Sequence, residues 1–142
     1  MKKIEFTNKK VKFEYTFIET YVTGIKLMGS EVKSIRLGKV SLVDTYCYFN
    51  KGELYMKGMN ITETNVAYSH TAIRDRKLLL KRKELRKLEN ELVKGLTIVP
   101  YKIFINDKGL VKVEIVLAKG KKLWDKRETI KERDLNRELK NY

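Results

Sequence analysis

At 142 residues, with 42% of them hydrophobic, the chain has enough apolar material for one domain with a real core and a short appendage. Its 32 Lys and Arg against 18 Asp and Glu leave a formal net charge of +14, which points to a polyanionic partner because neutralised phosphates release condensed counterions. A single cysteine, Cys47, excludes an internal disulfide framework, and neither a signal core nor an apolar run of about 20 residues is present, so a soluble, cytoplasmic monomer that does not engage a membrane is expected.

In chain order, residues 1–12 are basic and weakly patterned. Residues 13–27 are rich in Tyr, Phe, Ile, Val and Thr and read as strand, with Gly24 as a bulge or bend between two strands. Ser30 is placed to cap a short helix that carries Glu31 near its positive end, shares a face between Val32 and Ile35, and stops at Gly38. Residues 41–49 and 53–61 read as a hairpin turning at Asn50-Lys51-Gly52. Residues 62–73 are polar and irregular. Leu78-Leu79-Leu80 fits strand or helix equally, since a short apolar run has no decisive period. From Arg82 to Lys94, Leu85, Leu88 and Leu92 recur at helical spacing before Gly95. Residues 97–105 and 110–117 form the clearest hairpin, with Pro100 at an edge or bulge position. Residues 119–142 hold nine Lys/Arg and five Asp/Glu with few apolar side chains and cannot build a core of their own. At least six strands and two short helices therefore predict a mainly β fold, a small antiparallel barrel, followed by a basic tail.

The residues for enzymatic chemistry are sparse. The only histidine, His70, lies in a polar loop, and Cys47 lies in a predicted strand, so a nucleophile–base pair has no support. Paired metal ligands, a phosphate-cradling glycine loop and clustered carboxylates are all missing from the pattern; no catalytic residue, metal or cofactor is expected. Glu31, Asp44 and Glu53 read as cap, turn or solvated residues. Three basic clusters stand out instead. They are Lys2-Lys3 with Lys9-Lys10 and Lys12, then Arg74 to Lys87, and then Lys119 to Lys122 continuing into Lys126-Arg127. Beside tyrosines and phenylalanines, three such clusters in one small domain favour phosphate contact with base stacking, although Phe13, Tyr15, Phe17 and Tyr21 at strand period read first as core.

Specific motifs sharpen this reading. Asn8-Lys9-Lys10 with Tyr15, the run Gly24-Ile25-Lys26-Leu27-Met28-Gly29-Ser30-Glu31-Val32-Lys33-Ser34-Ile35-Arg36, the run Arg74-Asp75-Arg76-Lys77-Leu78-Leu79-Leu80, then Val99-Pro100 and Lys112-Val113-Glu114-Ile115, and finally Ala118-Lys119-Gly120-Lys121-Lys122 before Asp125-Lys126-Arg127 occur in that order. Together this ordered set resembles the small protein B (SmpB) family. The resemblance implies an OB-like barrel over residues 1–118, flanked by short helices, and a tail over residues 119–142 that is disordered alone and helical on the ribosome. It implies a non-enzymatic adaptor that binds the tRNA-like domain of transfer-messenger RNA (tmRNA) and delivers it to stalled ribosomes for trans-translation. The tail would enter the decoding centre of the small subunit and the empty mRNA channel. Leu79 and Lys112 match positions that the family uses to touch the RNA, and Asn8 matches a third near that surface. Lys9, Lys10, Lys33, Arg36, Arg76 and Lys77 complete the expected RNA-binding set, and Lys119, Gly120, Lys121, Lys122, Trp124, Asp125, Lys126 and Arg127 the ribosome-binding tail.

Some positions depart from the family pattern. Val22 replaces an RNA-contacting glutamate, whose role is either lost or taken by Glu19 or Glu31; Phe13 replaces a histidine, and Trp124 a Tyr or His. Two other readings stand beside the adaptor, a generic ribosome-associated single-strand-binding barrel and a metal-dependent RNA-processing enzyme. If phosphate contacts dominate, affinity for a tRNA-like RNA should fall by at least about tenfold between about 50 mM and about 200 mM monovalent salt, measured by filter binding; a flat profile would exclude an electrostatic interface.

Overall fold

The computed structural model describes residues 4–63 and 71–120. His70 and most of the expected tail, residues 121–142, lie outside the described residues. In chain order the elements are β1 (Glu5–Thr7), α1 (Lys10–Glu14), β2 (Tyr15–Ile25), α2 (Gly29–Arg36), β3 (Val40–Ser41), β4 (Tyr46–Asn50), β5 (Glu53–Lys57), β6 (Asn60–Ile61), β7 (Arg76–Leu79), α3 (Arg82–Val93), β8 (Thr97–Ile105) and β9 (Val111–Gly120). Seven strands form one antiparallel sheet in the order β1-β8-β9-β2-β7-β5-β4, while β3 and β6 pair separately. The far strand β4 comes alongside β8, so the sheet curls toward an OB-like barrel without a closing ladder among the described residues.

Alternation builds the core. Val111, Val113 and Ile115 on β9, Thr23 and Ile25 on β2, Leu78 on β7, and Leu54 and Met56 on β5 point inward and are buried. The intervening Lys112, Glu114, Val22, Gly24, Lys77, Leu79 and Tyr55 form the opposite face. Leu85 and Leu88 of α3 pack into the same core, with Leu92 half-buried behind them. A second, smaller cluster of Val11, Val99, Val116 and Ala118 sits beneath α1, joined by Tyr15, Phe17 and Tyr101. Two irregularities make it possible: extra residues at Ile18 in β2 and Tyr101 in β8 shift the register.

The structure amends several expectations. The expected break at Gly24 does not occur: β2 runs through it, and the bulge lies six residues earlier, at Ile18. Phe13 belongs to α1 rather than to a strand. The cap of α2 is Met28, not Ser30, and the Glu31 carboxylate accepts the Met28 amide at 2.8 Å. The expected strand over 41–49 is divided at Asp44, whose positive φ turns the chain between β3 and β4. The hairpin turn itself is as read, with Lys51 and Gly52 both at positive φ, the arrangement a two-residue turn requires. Leu78 and Leu79 resolve as strand. The final strand continues to Gly120, three residues past its expected end, because Lys119 and Gly120 still pair with Thr16 and Tyr15. Cys47 is buried, and burial pushes its thiol well above the usual range, which keeps it an inert core residue.

One buried ion pair ties these parts together. Glu31 and Arg76 are both 0% exposed, with Arg76 Nε 2.5 Å from Glu31 Oε2. Arg74 Nε donates to the same carboxylate oxygen at 3.1 Å, and the Arg76 guanidinium donates to the carbonyls of Met59 and Ala72. Burial pushes the Glu31 carboxyl up, but the donors from Arg74, the Met28 amide and Arg76 outweigh it and hold the group below its ordinary 4.5. A carboxylate depressed in this way contributes stability above the unfolded-state value and loses it as pH falls through the folded-state one. Glu31→Gln, which leaves Arg76 buried without its counter-charge, should cost about 3–5 kcal/mol in urea unfolding near neutrality. The variant should also lack the share of acid destabilisation that Glu31 itself contributes as pH falls below 4.5.

Candidate nucleic-acid interface

Strand register brings three distant residues into one row on the outer face: Leu79 of β7 pairs with Gly24 of β2, and Gly24 pairs with Lys112 of β9. The run of three leucines resolves by strand parity. Leu78 is fully buried, Leu80 is half-buried against the core, and Leu79 is 50% exposed. Gly24 is what lets Leu79 lie flat, since a Cβ built there would stand 3.2 Å from the Leu79 Cβ.

This row lines a shallow groove of about 390 Å³, shared with Leu27, Val32 and Leu110. Leu110, at the turn between β8 and β9, is 53% exposed. Arg36 reaches the rim, its guanidinium 3.8 Å from where a Cβ on Gly109 would stand. Lys33 is exposed on the same helix, next to Val32. The groove thus joins an apolar floor to cationic edges. Apolar side chains and aliphatic stems of this kind suit an unstacked base or a sugar, and the ammonium and guanidinium groups suit phosphate oxygens. Among the described residues, no group of three or more His, Cys, Asp or Glu is placed to hold a metal ion.

The other expected site residues are distributed unevenly. Lys77 shares the face of Leu79 and lies 3.7 Å from Glu53. Lys9 and Lys10 are exposed at the α1 end of the sheet, where Lys10 sits 3.7 Å from Glu14. The Asn8 side chain donates to the Leu42 carbonyl at 3.0 Å, which anchors the start of α1 to the segment after β3. Asn8 and Lys10 line depressions that share no residue with the groove, and Lys9 is exposed between them in sequence, so the three form a separate basic surface. Arg76 requires a correction: it is wholly buried, held by Glu31 and by the carbonyls of Met59, Thr71, Ala72 and Arg74, and has no surface to offer a ligand. Its neighbour Arg74 retains partial exposure. Lys119 and Gly120 are exposed at the end of β9, whereas Lys121, Lys122, Trp124, Asp125, Lys126 and Arg127 lie outside the described residues.

Neither carboxylate expected to substitute at the position of Val22 is unengaged. Val22 is exposed, and Glu31 cannot stand in for it because it is buried among arginines. Glu19 is held by Lys87 Nζ at 3.0 Å, a hydrogen bond that lowers its carboxyl below the usual value. The carboxylate facing Val22 across the strands is Glu114, one step along the sheet from Lys112. Sequence reading missed Gly24, Leu27 and Leu110 as members of the groove. Period-two alternation places Lys112 outward, but nothing local predicts that residues 55 positions apart, Gly24 and Leu79, will be neighbours.

Fold and surface define a small, basic, antiparallel β protein whose outer groove joins an apolar floor to cationic edges, a chemistry suited to RNA. A family model described as SmpB protein matches residues 5–142, and the chain belongs to that family. It is 57% identical over 139 residues to the SsrA-binding protein of Phocaeicola vulgatus, an alignment that covers 96% of this chain and 93% of the relative. It is 53% identical to that of Bacteroides thetaiotaomicron, with the same coverage of both chains. A solved structure described as "tmRNA-SmpB: a journey to the center of the bacterial ribosome" superposes with a TM-score of 0.71 at 40% identity, covering 89% of this chain and 94% of that one.

If the groove is the contact surface, Lys112→Ala should weaken binding of a tRNA-like RNA about three- to tenfold with an unchanged melting temperature, since it removes a partly exposed charge and no core contact. Arg76→Ala should instead lower the melting temperature, and the two outcomes together separate a contact residue from a buried one.

Proposed function

We propose that the protein is the adaptor of trans-translation: it binds the tRNA-like domain of tmRNA and carries it to ribosomes stalled without a usable codon. The observation that carries the reading is the row Leu79–Gly24–Lys112 with Arg36 at its rim, in a chain 57% identical to an SsrA-binding protein. Leu79 presses on an unstacked base or its sugar, Lys112, Arg36 and Lys33 neutralise neighbouring phosphates, and Gly24 keeps the floor low enough for approach. Glu114 supplies an acceptor beside Val22 for a donor on a base edge or a ribose hydroxyl. The separate basic surface of Asn8, Lys9 and Lys10 takes a second stretch of backbone.

The tail, from Lys119 and Gly120 through Lys121, Lys122, Trp124, Asp125, Lys126 and Arg127, acts in the decoding centre and mRNA channel. There its alternating charges fold against ribosomal RNA, and Trp124 stacks on an exposed base. The work is positional, delivering a partner RNA rather than breaking bonds, and the compartment is the cytoplasm, where ribosomes are. No helix among the described residues is long and apolar enough to cross a membrane.

The two halves of this function are separable by experiment. Because β9 pairs through Gly120, the cut belongs after that residue. A chain ending at Gly120 should bind tRNA-like RNA within about threefold of the full chain but fail to support tagging of nascent peptides on ribosomes stalled in a reconstituted system. Tagging by the shortened chain would refute the role given to the tail.

A further inference from the structure

Beyond the groove, the outer face continues into a surface with a different chemistry. Tyr46 and Tyr48 of β4 point outward, alternating with the buried Cys47, and Tyr55 of β5 pairs directly with Tyr48. The rings of Tyr48 and Tyr55 stack with centroids 5.7 Å apart and planes 22° from parallel. Tyr48 is pinned further by donating its hydroxyl to Asp75. Tyr46 is 47% exposed. Beneath these strands Cys47, Leu54 and Met56 are buried in the core, so the rings stand on a rigid support rather than a loop.

Tyr55 also borders a depression of about 430 Å³, whose other walls include Lys26, Leu27, Arg74 and Lys77, with the half-exposed Met28 beside them. Cationic groups thus flank the aromatic strip on the side toward the groove. The acidic groups facing the area are already engaged: Asp75 by Tyr48, Glu53 by Lys77 and Arg82 at 3.7 and 3.6 Å. Leu27 lines both this depression and the groove, so the two adjoin across β9, β2, β7 and β5; Tyr48 on β4 extends the strip by its stack on Tyr55, and Tyr46 beyond it borders the depression of Asn8 and Lys10.

We propose that the Tyr46–Tyr48–Tyr55 strip is a second RNA site, a stacking platform for unpaired nucleotides of the same RNA whose folded part occupies the groove. The inference rests on the groove reading for its starting point. Preordered aromatic faces bind bases with little sequence preference, and basic residues alongside hold the backbone. A folded partner needs shape complementarity over a broad patch, whereas this strip is narrow, aromatic and flanked by cations, the pattern that suits a single strand.

The test uses the full chain and two RNAs, a tRNA-like hairpin alone and the same hairpin with a single-stranded adenosine tract. Tyr46→Ala and Tyr55→Ala should each weaken binding of the extended RNA about tenfold, while Tyr46→Phe and Tyr55→Phe, which keep the ring, bind it as wild type does. Binding of the bare hairpin should be unchanged in all four. Melting curves identify any variant that fails to fold, and Tyr46→Ala, which removes a ring outside the Tyr48–Tyr55 stack, keeps the test valid should Tyr55→Ala loosen the hairpin. Folded alanine variants that bind the extended RNA like wild type would overturn the proposal. It would equally fall if sedimentation showed Tyr46→Ala abolishing self-association while RNA binding stayed intact, because a second copy of the chain would then be the occupant. Lys112→Ala, measured on the bare hairpin in the same series, reports on the groove reading independently of the tyrosines.

Discussion

The buried contact between Glu31 and Arg76 is the constraint on which the rest of this molecule depends. One carboxylate in α2 accepts from the arginine that opens β7, from a second two residues before it, and from the amide that begins its own helix. One guanidinium in β7 gathers the carbonyls of residues 59 and 72. Both walls of the groove descend from that contact, since Val32 and Arg36 belong to α2 and Leu79 closes β7. Burying two charges for a gain in stability alone is a poor arrangement, because well-packed apolar residues do as well. What the pair supplies here is position: the helix cannot rotate, nor the strand slip by a residue, without leaving a charge unpaired in the core. A one-residue slip of β7 would also turn Leu79 inward and Leu78 out.

The sequence reveals the periodic parts of this fold and hides the rest for identifiable reasons. The helix bearing Leu85, Leu88 and Leu92 and the hairpin of β8 and β9 are legible because their apolar residues repeat with a clear period. The extent of β2 is not, because Gly24 reads locally as a break. Its purpose is a close approach by Leu79, which only the long-range pairing discloses. The cap of α2 was misplaced for a related reason. Ser30 has the right chemistry for an N-cap, but Glu31 satisfies the Met28 amide from inside the helix while being drawn into the core by the arginines. Asp44 hides the division of the first hairpin arm, since a left-handed conformation at a non-glycine residue has no reliable local signal.

The candidate site was legible as composition and motif, and less so as geometry. Excess basic charge names the type of partner but not the residues that meet it. Arg76 illustrates the gap: the same Arg-x-Arg run contributes one part-exposed side chain and one that is wholly interior, and strand parity, which puts both on one face, does not separate them; Arg74 lies before β7 begins, whereas Arg76 opens it inside the core. Leu79 illustrates the converse, an apolar residue whose value lies in being outside the core. The outer face therefore carries a gradient of chemistry, from cations around a greasy groove to tyrosines on the far strands. A single folded RNA with an unpaired extension fits that gradient better than separate ligands would.

The central claim is that folded RNA sits on the face that carries Gly24, Leu79 and Lys112. Mapping backbone amide shifts of the full chain by NMR as a tRNA-like RNA is added tests it most directly. The account predicts that the largest changes fall on those residues together with Leu110 and the α2 residues at the groove rim, with Arg76 and the core amides of β5 nearly still. Changes concentrated on α3, with the groove unaffected, would contradict it.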